Sequence, residues 1–359
     1  MKTLTAPHTE VRRADHSDAT EPPEAHGLAR DAVKLMVAQA SGVSHARFAD
    51  LGEFLTAGDL LVVNNSLTLP AAVDGMRAGK PIAVHFSTAC WKNTWVVELR
   101  PAMSATGHLS DVRSGERVDL PAGAALVIET SYPRPGVEGA RLWIARVLVE
   151  SPEGVTSYLM RHGRPIRYSY VPQQWPLDFY QTVFARRPGS AEMPSAARPF
   201  SAELVAALVA AGVVIAPVTL HAGVSSAEPG EPPTPEPFDV PASTAALVNL
   251  TRSSGGRVIA VGTTATRAVE SAVDADGVVR PRTGWTDLVI GPDRPVRVID
   301  GLITGWHEAG ASHLLLLEAA AGKDLVSTAY REAAAHDYLW HEFGDSALLL
   351  PERAALRTA

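Results

Sequence analysis

From about residue 201 onward the chain alternates short apolar runs with stretches of helical length, and this alternation restricts the fold more than any other feature of the sequence. Ser201 can cap a helix running through residue 211, with Glu203 favourable in its first turn and Gly212 at its end. Residues 213–220 then read as a strand and 243–254 as a helix closed by Gly255-Gly256. Residues 257–262 read as a second strand and 264–273 as a second helix. Strand, helix and strand of these lengths make a parallel crossover unit. Residues 298–304 and 347–350 supply further strands. Residues 60–63 supply an earlier one, after a helix-like stretch at 48–55.

Between residues 71 and 150 the pattern is different. Apolar or alternating runs recur at 82–86, 95–99, 117–120, 125–129 and 142–149, separated by Gly, Pro, Asp and Ser. Short strands at this spacing predict a small antiparallel sheet or barrel. The predicted fold is therefore α/β: a larger α/β domain with a mostly parallel sheet, built from residues 28–70 and 151–359, interrupted by a small antiparallel β-barrel at 71–150. Residues 1–27 are polar, carry both charge signs and lack aromatics, which predicts a disordered arm. Residues 225–241 read as a Pro-rich loop.

Lys and Arg total 32 against 39 Asp and Glu, a net charge of −7, so the chain is not built around a large nucleic-acid-coating surface. Only five of the basic residues are lysine (Lys2, Lys34, Lys80, Lys92 and Lys323). The excess of arginine fits either codon bias or anion recognition. Cys90 is the single cysteine, which excludes an internal disulfide and a cysteine metal cluster. The first residues lack the apolar core of a signal peptide. The apolar stretch 204–220 is broken by Gly212 and Pro217, so it is no membrane span. A cytoplasmic protein is expected.

The sharpest local motif is Gly262-Thr-Thr-Ala-Thr-Arg267-Ala-Val-Glu270, following the strand at 257–262. Free N–H groups at the helix start, with Thr263 and Thr264, would hold a carboxylate or phosphate. Arg267 and Glu270 lie three apart, on one helix face, where they can clasp a ligand or form an ordinary surface ion pair. His221 follows the other strand of the crossover, so it emerges at the same carboxyl edge, where open α/β sheets bind ligands. His307 follows the strand at 298–304. Asp345, in Phe343-Gly344-Asp345, precedes the last strand as either a site or a turn residue. Tyr180-Gln181 opens an aromatic stretch that by itself fits core and loop.

Other chemistries find no support. Ala321-Gly322-Lys323 lacks the upstream glycine of a P-loop, and no G-x-G-x-x-G follows a strand. No G-x-S-x-G turn is present. His221, His307, His313, His336 and His341 never form H-E-x-x-H, so no metal site is expected.

Taken together these motifs resemble the S-adenosylmethionine:tRNA ribosyltransferase-isomerases of queuosine biosynthesis, over about residues 28–350. The matching stretches run in order: Gly58-Asp-Leu-Leu-Val-Val-Asn64, Tyr180-Gln-Thr-Val-Phe-Ala185, Pro194-Ser-Ala196, and Val218-Thr-Leu-His-Ala-Gly223. Gly262 to Glu270, Asp300-Gly-Leu-Ile-Thr304 with His307, and Phe343-Gly-Asp345 complete them. The resemblance implies an α/β domain interrupted by a β-barrel. It implies a reaction in which the ribosyl part of S-adenosylmethionine moves onto the aminomethyl group of a 7-deazaguanine in a tRNA anticodon. Adenine and methionine leave, and the ribose becomes an epoxycyclopentanediol. S-adenosylmethionine is then a substrate, with no metal or redox cofactor; tRNA is the macromolecular partner, with no membrane and no DNA. The sulfonium acidifies the adjacent C5′ hydrogen, and a positioned base removes it. The resemblance makes His221, His307, Glu236 and Asp345 the acid–base candidates. It makes Asn64, Tyr180, Gln181, Gly223, Gly262, Thr263, Thr264, Arg267 and Glu270 the candidates for binding S-adenosylmethionine.

The chain departs from the family pattern at several positions. The Asp-Thr-Arg expected after Asn64 is Asn65-Ser66-Leu67, and the following Pro-Ala-Arg is Pro70-Ala71-Ala72. A family histidine is replaced by Pro199, and a family arginine by Glu228. The Met-His-x-Glu element is Pro233-Thr-Pro-Glu236, which keeps only the glutamate. Fewer cations weaken the phosphate-binding side more than the sulfonium side. The alternative reading is a diverged paralogue acting on a small nucleoside or free base, or a non-catalytic module binding RNA or S-adenosylmethionine.

Overall fold

A computed structural model describes residues 6–13, 17–102, 107–149, 154–224 and 232–352. Strands β1 (Lys34–Gln39) and β2 (Gly42–Arg47) pair antiparallel; β3 (Leu60–Asn64) and the short β4 (Ser66–Thr68) follow. The stretch before β3 is a 3₁₀ turn, Phe48–Phe54, rather than an α-helix. In β3, Leu60 and Val62 enter the core on one face of the sheet, while Leu61 and Val63 enter the core on the other. Burial on both faces is why this strand is a continuous apolar run.

The chain then leaves the sheet for a barrel: β5 (Ala72–Arg77), β6 (Lys80–Trp91), β7 (Thr94–Pro101), β8 (Arg117–Asp119), β9 (Ala125–Tyr132) and β10 (Leu142–Leu148). They close in the order β10-β7-β6-β5-β8-β9, antiparallel throughout, which leaves no sheet edge unpaired. Val73, Val84, Phe86, Val97, Leu126 and Ala145 fill the interior.

Returning, the chain forms α1 (Gly154–His162), β11 (Arg187–Ser190) against β4, α2 (Ala202–Ala210), β12 (Val214–Leu220) and β13 (Glu236–Val240). Next come α3 (Ala242–Ser253), β14 (Val258–Val261), α4 (Gly262–Ser271), β15 (Arg282–Thr286) and β16 (Gly301–Thr304). Helices α5 (Ser312–Ala321) and α6 (Lys323–Ala335) precede the last strand, β17 (Ser346–Leu350). Ser201 Oγ accepts from Leu204 N at 3.1 Å, the expected cap of α2.

The large sheet has nine strands in the order β15-β13-β12-β3-β14-β16-β17-β1-β2. Its centre, β12-β3-β14-β16, is parallel, and β17 runs antiparallel to β16. The carboxyl ends of four central strands and the start of β17 therefore share one rim. The crossover from β12 through α3 to β14 passes over β3, which lies between them.

Two expectations are corrected. The loop over 225–241 ends earlier than expected: residues 236–240 form β13, hydrogen-bonded between β12 and β15, and residues 225–231 lie outside the described part. The disordered arm over 1–27 is docked where it is described. Thr9 N and Oγ1 both donate to the Glu318 carboxylate at 2.7 Å, and Glu24 takes Arg198 Nη2 at 2.8 Å. Buried Arg198 and Glu318 gain their partners from this arm, and leaving either charge unpaired would be costly.

Candidate active site

Asn64, the last residue of β3, organises the rim. Its Oδ1 accepts from Leu220 N and Ser66 N, each at 3.1 Å. Its Nδ2 donates to Leu220 O at 2.8 Å and to Thr264 Oγ1 at 3.1 Å. One fully buried amide thus ties the ends of β3 and β12 to the first turn of α4. Gly262 starts that helix at φ +91°, and a Cβ there would lie 3.2 Å from the Ala196 Cβ. This explains a glycine at the strand-to-helix turn. Among the described residues no side chain caps α4, so its first-turn N–H groups and dipole are available to an anion beside Thr263 and Thr264.

His221 continues from β12. Its Nδ1 lies 2.7 Å from Ser66 Oγ, which lies 2.6 Å from Ser190 Oγ. The ring packs over Gly189, where a Cβ would fall 2.6 Å from Nδ1. Burial, with Arg187 nearby, pushes the imidazole down to about 4, so it is neutral at pH 7.

Glu236 and Arg267 form a buried ion pair. Glu236 Oε1 also accepts from Gly223 N at 2.9 Å, and Arg267 Nε donates to Leu288 O at 3.0 Å. Gly223 backs onto the barrel: a Cβ would meet Ser87 Oγ at 2.6 Å and Thr88 Oγ1 at 2.9 Å. The site therefore lies where the barrel strand β6 meets the sheet rim.

Arg267 does not pair with Glu270, which corrects the proposed clasp. Glu270 Oε1 accepts from Arg297 N at 2.8 Å and Val298 N at 2.9 Å, and its Oε2 lies 3.3 Å from Arg294 Nη1. It is a buried structural carboxylate that fastens α4 to the segment before β16. Asp345 is also fully engaged, accepting from Lys34 N at 2.6 Å and Leu339 N at 2.7 Å. Burial raises its pKa despite these bonds. Gln181 brackets the Thr68 backbone, accepting from its N–H at 3.1 Å and donating to its carbonyl at 2.8 Å.

His307 Nε2 lies 3.2 Å from Thr304 Oγ1, and its ring stacks on His313 with centroids 4.6 Å apart. Burial, then each ring's neighbours, holds both imidazoles neutral: His307 well below its usual value, His313 at about 4 beside Arg267. The Arg267 neighbourhood thus connects to the His307 side of the rim.

A group that no sequence motif singles out lies three residues before Asp345 in the chain. Glu342 accepts from Tyr170 Oη at 2.6 Å, and burial raises its carboxyl pKa. His341, in left-handed backbone conformation at φ +72°, stacks on Tyr170 at 3.8 Å. Tyr180 is buried against Phe343, with ring centroids 5.2 Å apart. The Tyr168 and Tyr180 hydroxyls and the Trp175 indole nitrogen are buried without hydrogen-bond partners among the described residues. The raised carboxyl of Glu342, the strained backbone of His341 and these unpartnered polar groups make this cluster a further candidate for the site. No sequence motif announces Glu342, because its surroundings come from residues 168–180.

Three arginines of the neighbouring segment have partners within the protein. Arg164 pairs with Asp74 at 2.8 Å, Arg167 donates to Val171 O at 2.7 Å, and Arg187 pairs with Asp239. Glu228 lies outside the described residues. On edge strand β2 and the end of α6, His45, Glu332 and His336 bring ligand-type atoms within 4.8 Å of one another.

The family model for queuosine biosynthesis proteins matches residues 14–349. The chain belongs to this family. Among its curated relatives is the S-adenosylmethionine:tRNA ribosyltransferase-isomerase of Symbiobacterium thermophilum. It is 38% identical over 322 residues, spanning 86% of this chain and 90% of the relative. The enzyme of the same name from Moorella thermoacetica is 35% identical over 324 residues, with the same two coverages. The crystal structure of S-adenosylmethionine tRNA ribosyltransferase from Thermotoga maritima superposes with a TM-score of 0.53 at 27% identity. That match covers 95% of this chain and 99% of that one. Within this queuosine biosynthesis family member, the ends of three quoted segments meet at one rim, at Asn64, Leu220-His221 and Gly262-Thr264, whereas Asp59 and Asp300 lie at the opposite edge of the sheet and Glu270 turns to residues 297–298.

Proposed function

We propose that this protein is an S-adenosylmethionine:tRNA ribosyltransferase-isomerase. It moves the ribosyl part of S-adenosylmethionine onto the aminomethyl group of a 7-deazaguanine in tRNA, releasing adenine and methionine and forming epoxyqueuosine. The observation that carries this reading is the uncapped start of α4, held by Asn64 at the junction of sheet and barrel. It offers hydroxyls and backbone donors to a ribose or a methionine carboxylate.

The acid–base candidates divide by their partners. Glu236 and Asp345 commit both oxygens to fixed donors, so their role is to shape the site. His221 keeps Nε2 free of partners among the described residues, with Nδ1 held by Ser66. We assign it the C5′ proton. A ring with a pKa of about 4 is a weak base, but once charged it is a strong acid. It suits a proton that must then go to the departing adenine. The attacking amine must also lose a proton, and Glu342, lifted by burial, is the carboxylate assigned to it. Thr263, Thr264 and Gly262 hold the donor; Arg267, Gly223, Tyr180 and Gln181 build the wall around it.

The test is direct. Protein incubated with S-adenosylmethionine and tRNA bearing the aminomethyl-deazaguanine should release free adenine in step with transfer to the RNA. Absence of adenine with that RNA defeats the reading.

A further inference from the structure

Trp91 ends β6 with 73% of its surface exposed, more than any other large apolar side chain among the described residues. It borders a cleft of about 700 Å³ that also takes in Lys92, Asn93, Trp95, Arg146 and Thr156. Among the described residues the lining carries two cations and no carboxylate, in a chain whose net charge is −7. Among the described residues Arg146 has one acidic neighbour outside the lining, Glu129, at 3.4 Å. Lys92 turns the hairpin at φ +45°, a conformation that β-hairpin tips usually give to Gly or Asn. The same strand carries Ser87 and Thr88, which touch Gly223 at the rim. Four residues of extended chain span at most about 14 Å, so Trp91 lies within that reach of the Ser87 backbone.

We infer that the Trp91–Lys92 hairpin is an RNA platform, on which an unpaired base of the substrate loop stacks while Lys92 and Arg146 meet the adjoining phosphates. The inference rests on the reading that the chain acts on tRNA. The chemistry of the surface selects this occupant. Single-stranded loops offer splayed bases to aromatic faces, and their backbone requires cations. A flat indole ringed by cations, amides and hydroxyls meets both needs. It also supplies positive charge on the barrel side of the site, where the segment after Asn64 no longer does.

The experiment measures binding of an anticodon stem-loop RNA carrying the aminomethyl-deazaguanine, together with turnover, for wild type, Trp91→Ala, Trp91→Phe and Lys92→Ala. Trp91→Ala should weaken binding about tenfold and raise KM for the RNA, with kcat at saturating RNA unchanged. Trp91→Phe should recover most of that loss. Lys92→Ala should reduce the slope of log affinity against log salt by about 0.7. RNA affinity unchanged in Trp91→Ala, with wild type turning over, overturns the platform and leaves the proposed function standing. A wild-type protein that releases no adenine with this RNA defeats the proposed function instead. If a protein partner rather than RNA covers Trp91, the RNA affinities stay equal, and the platform is likewise overturned.

Discussion

Asn64 Nδ2 stands 3.1 Å from Thr264 Oγ1, two hundred positions away in the chain, and this bond joins the end of a central strand to the first turn of α4. The same amide serves Leu220 and Ser66, so no other side chain of its size replaces it. Asn64→Ala leaves buried backbone groups unpaired and should lower stability by about 2 kcal/mol. Affinity for S-adenosylmethionine should fall alongside, as read by calorimetry. A variant with wild-type affinity would remove Thr264 orientation from the binding account.

The Glu236–Arg267 pair lends itself to a double-mutant cycle. Arg267→Ala strands a buried carboxylate and should cost about 3–5 kcal/mol. Joint replacement by Gln and Met should cost less than the two single changes summed. Chemical denaturation of the four proteins checks this. Strict additivity would mean that the two side chains act independently.

Gly262→Ala tests the turn. The substitution meets both a left-handed backbone and the Ala196 side chain, so about 2 kcal/mol of stability should be lost. Binding of S-adenosylmethionine should weaken more than tRNA binding, because the shift occurs under the donor. Equal losses in both affinities would argue for a general defect.

Glu342→Gln keeps an oxygen that can accept from Tyr170 but removes the ionisation. With the carboxyl raised by burial, kcat/KM should climb as pH rises through that pKa in the wild type. In Glu342→Gln that acid limb should vanish and the rate should fall about 100-fold. An unchanged pH profile would leave Glu342 a structural role only.

His221 links pH to stability. Its folded pKa of about 4 lies below the unfolded value of 6.5. Between these values the unfolded chain binds more protons, so stability increases with pH across that window and is complete above it. Between pH 7.5 and pH 5 the wild type should lose about 2 kcal/mol from this ring alone. His221→Gln should lack that component. Urea midpoints for both proteins at the two pH values provide the measurement.

Much of this architecture is written locally. Leu60 to Val63, Val258 to Val261 and Ala347 to Leu350 are continuous apolar runs, which identifies buried strands without any partner being known. Ser201 and Gly212 mark the ends of α2. Gly262 with Thr263 and Thr264 locates the strand-to-helix turn at the rim, since backbone conformation and a helix start depend on neighbouring residues alone.

What lay beyond the sequence is what distant segments do to one another. The pattern of β13 follows a Pro-rich stretch, and it becomes a strand only because β12 and β15 pair with it on either side. Arg267 and Glu270 share a helix, yet one turns to Glu236 and the other to the backbone at 297–298. Glu342 acquires its character from Tyr170, more than 170 positions earlier. Strand, turn and cap signals act over a few residues, whereas the charge state and partners of a buried side chain depend on which remote groups exclude water from it, and only the folded arrangement decides that.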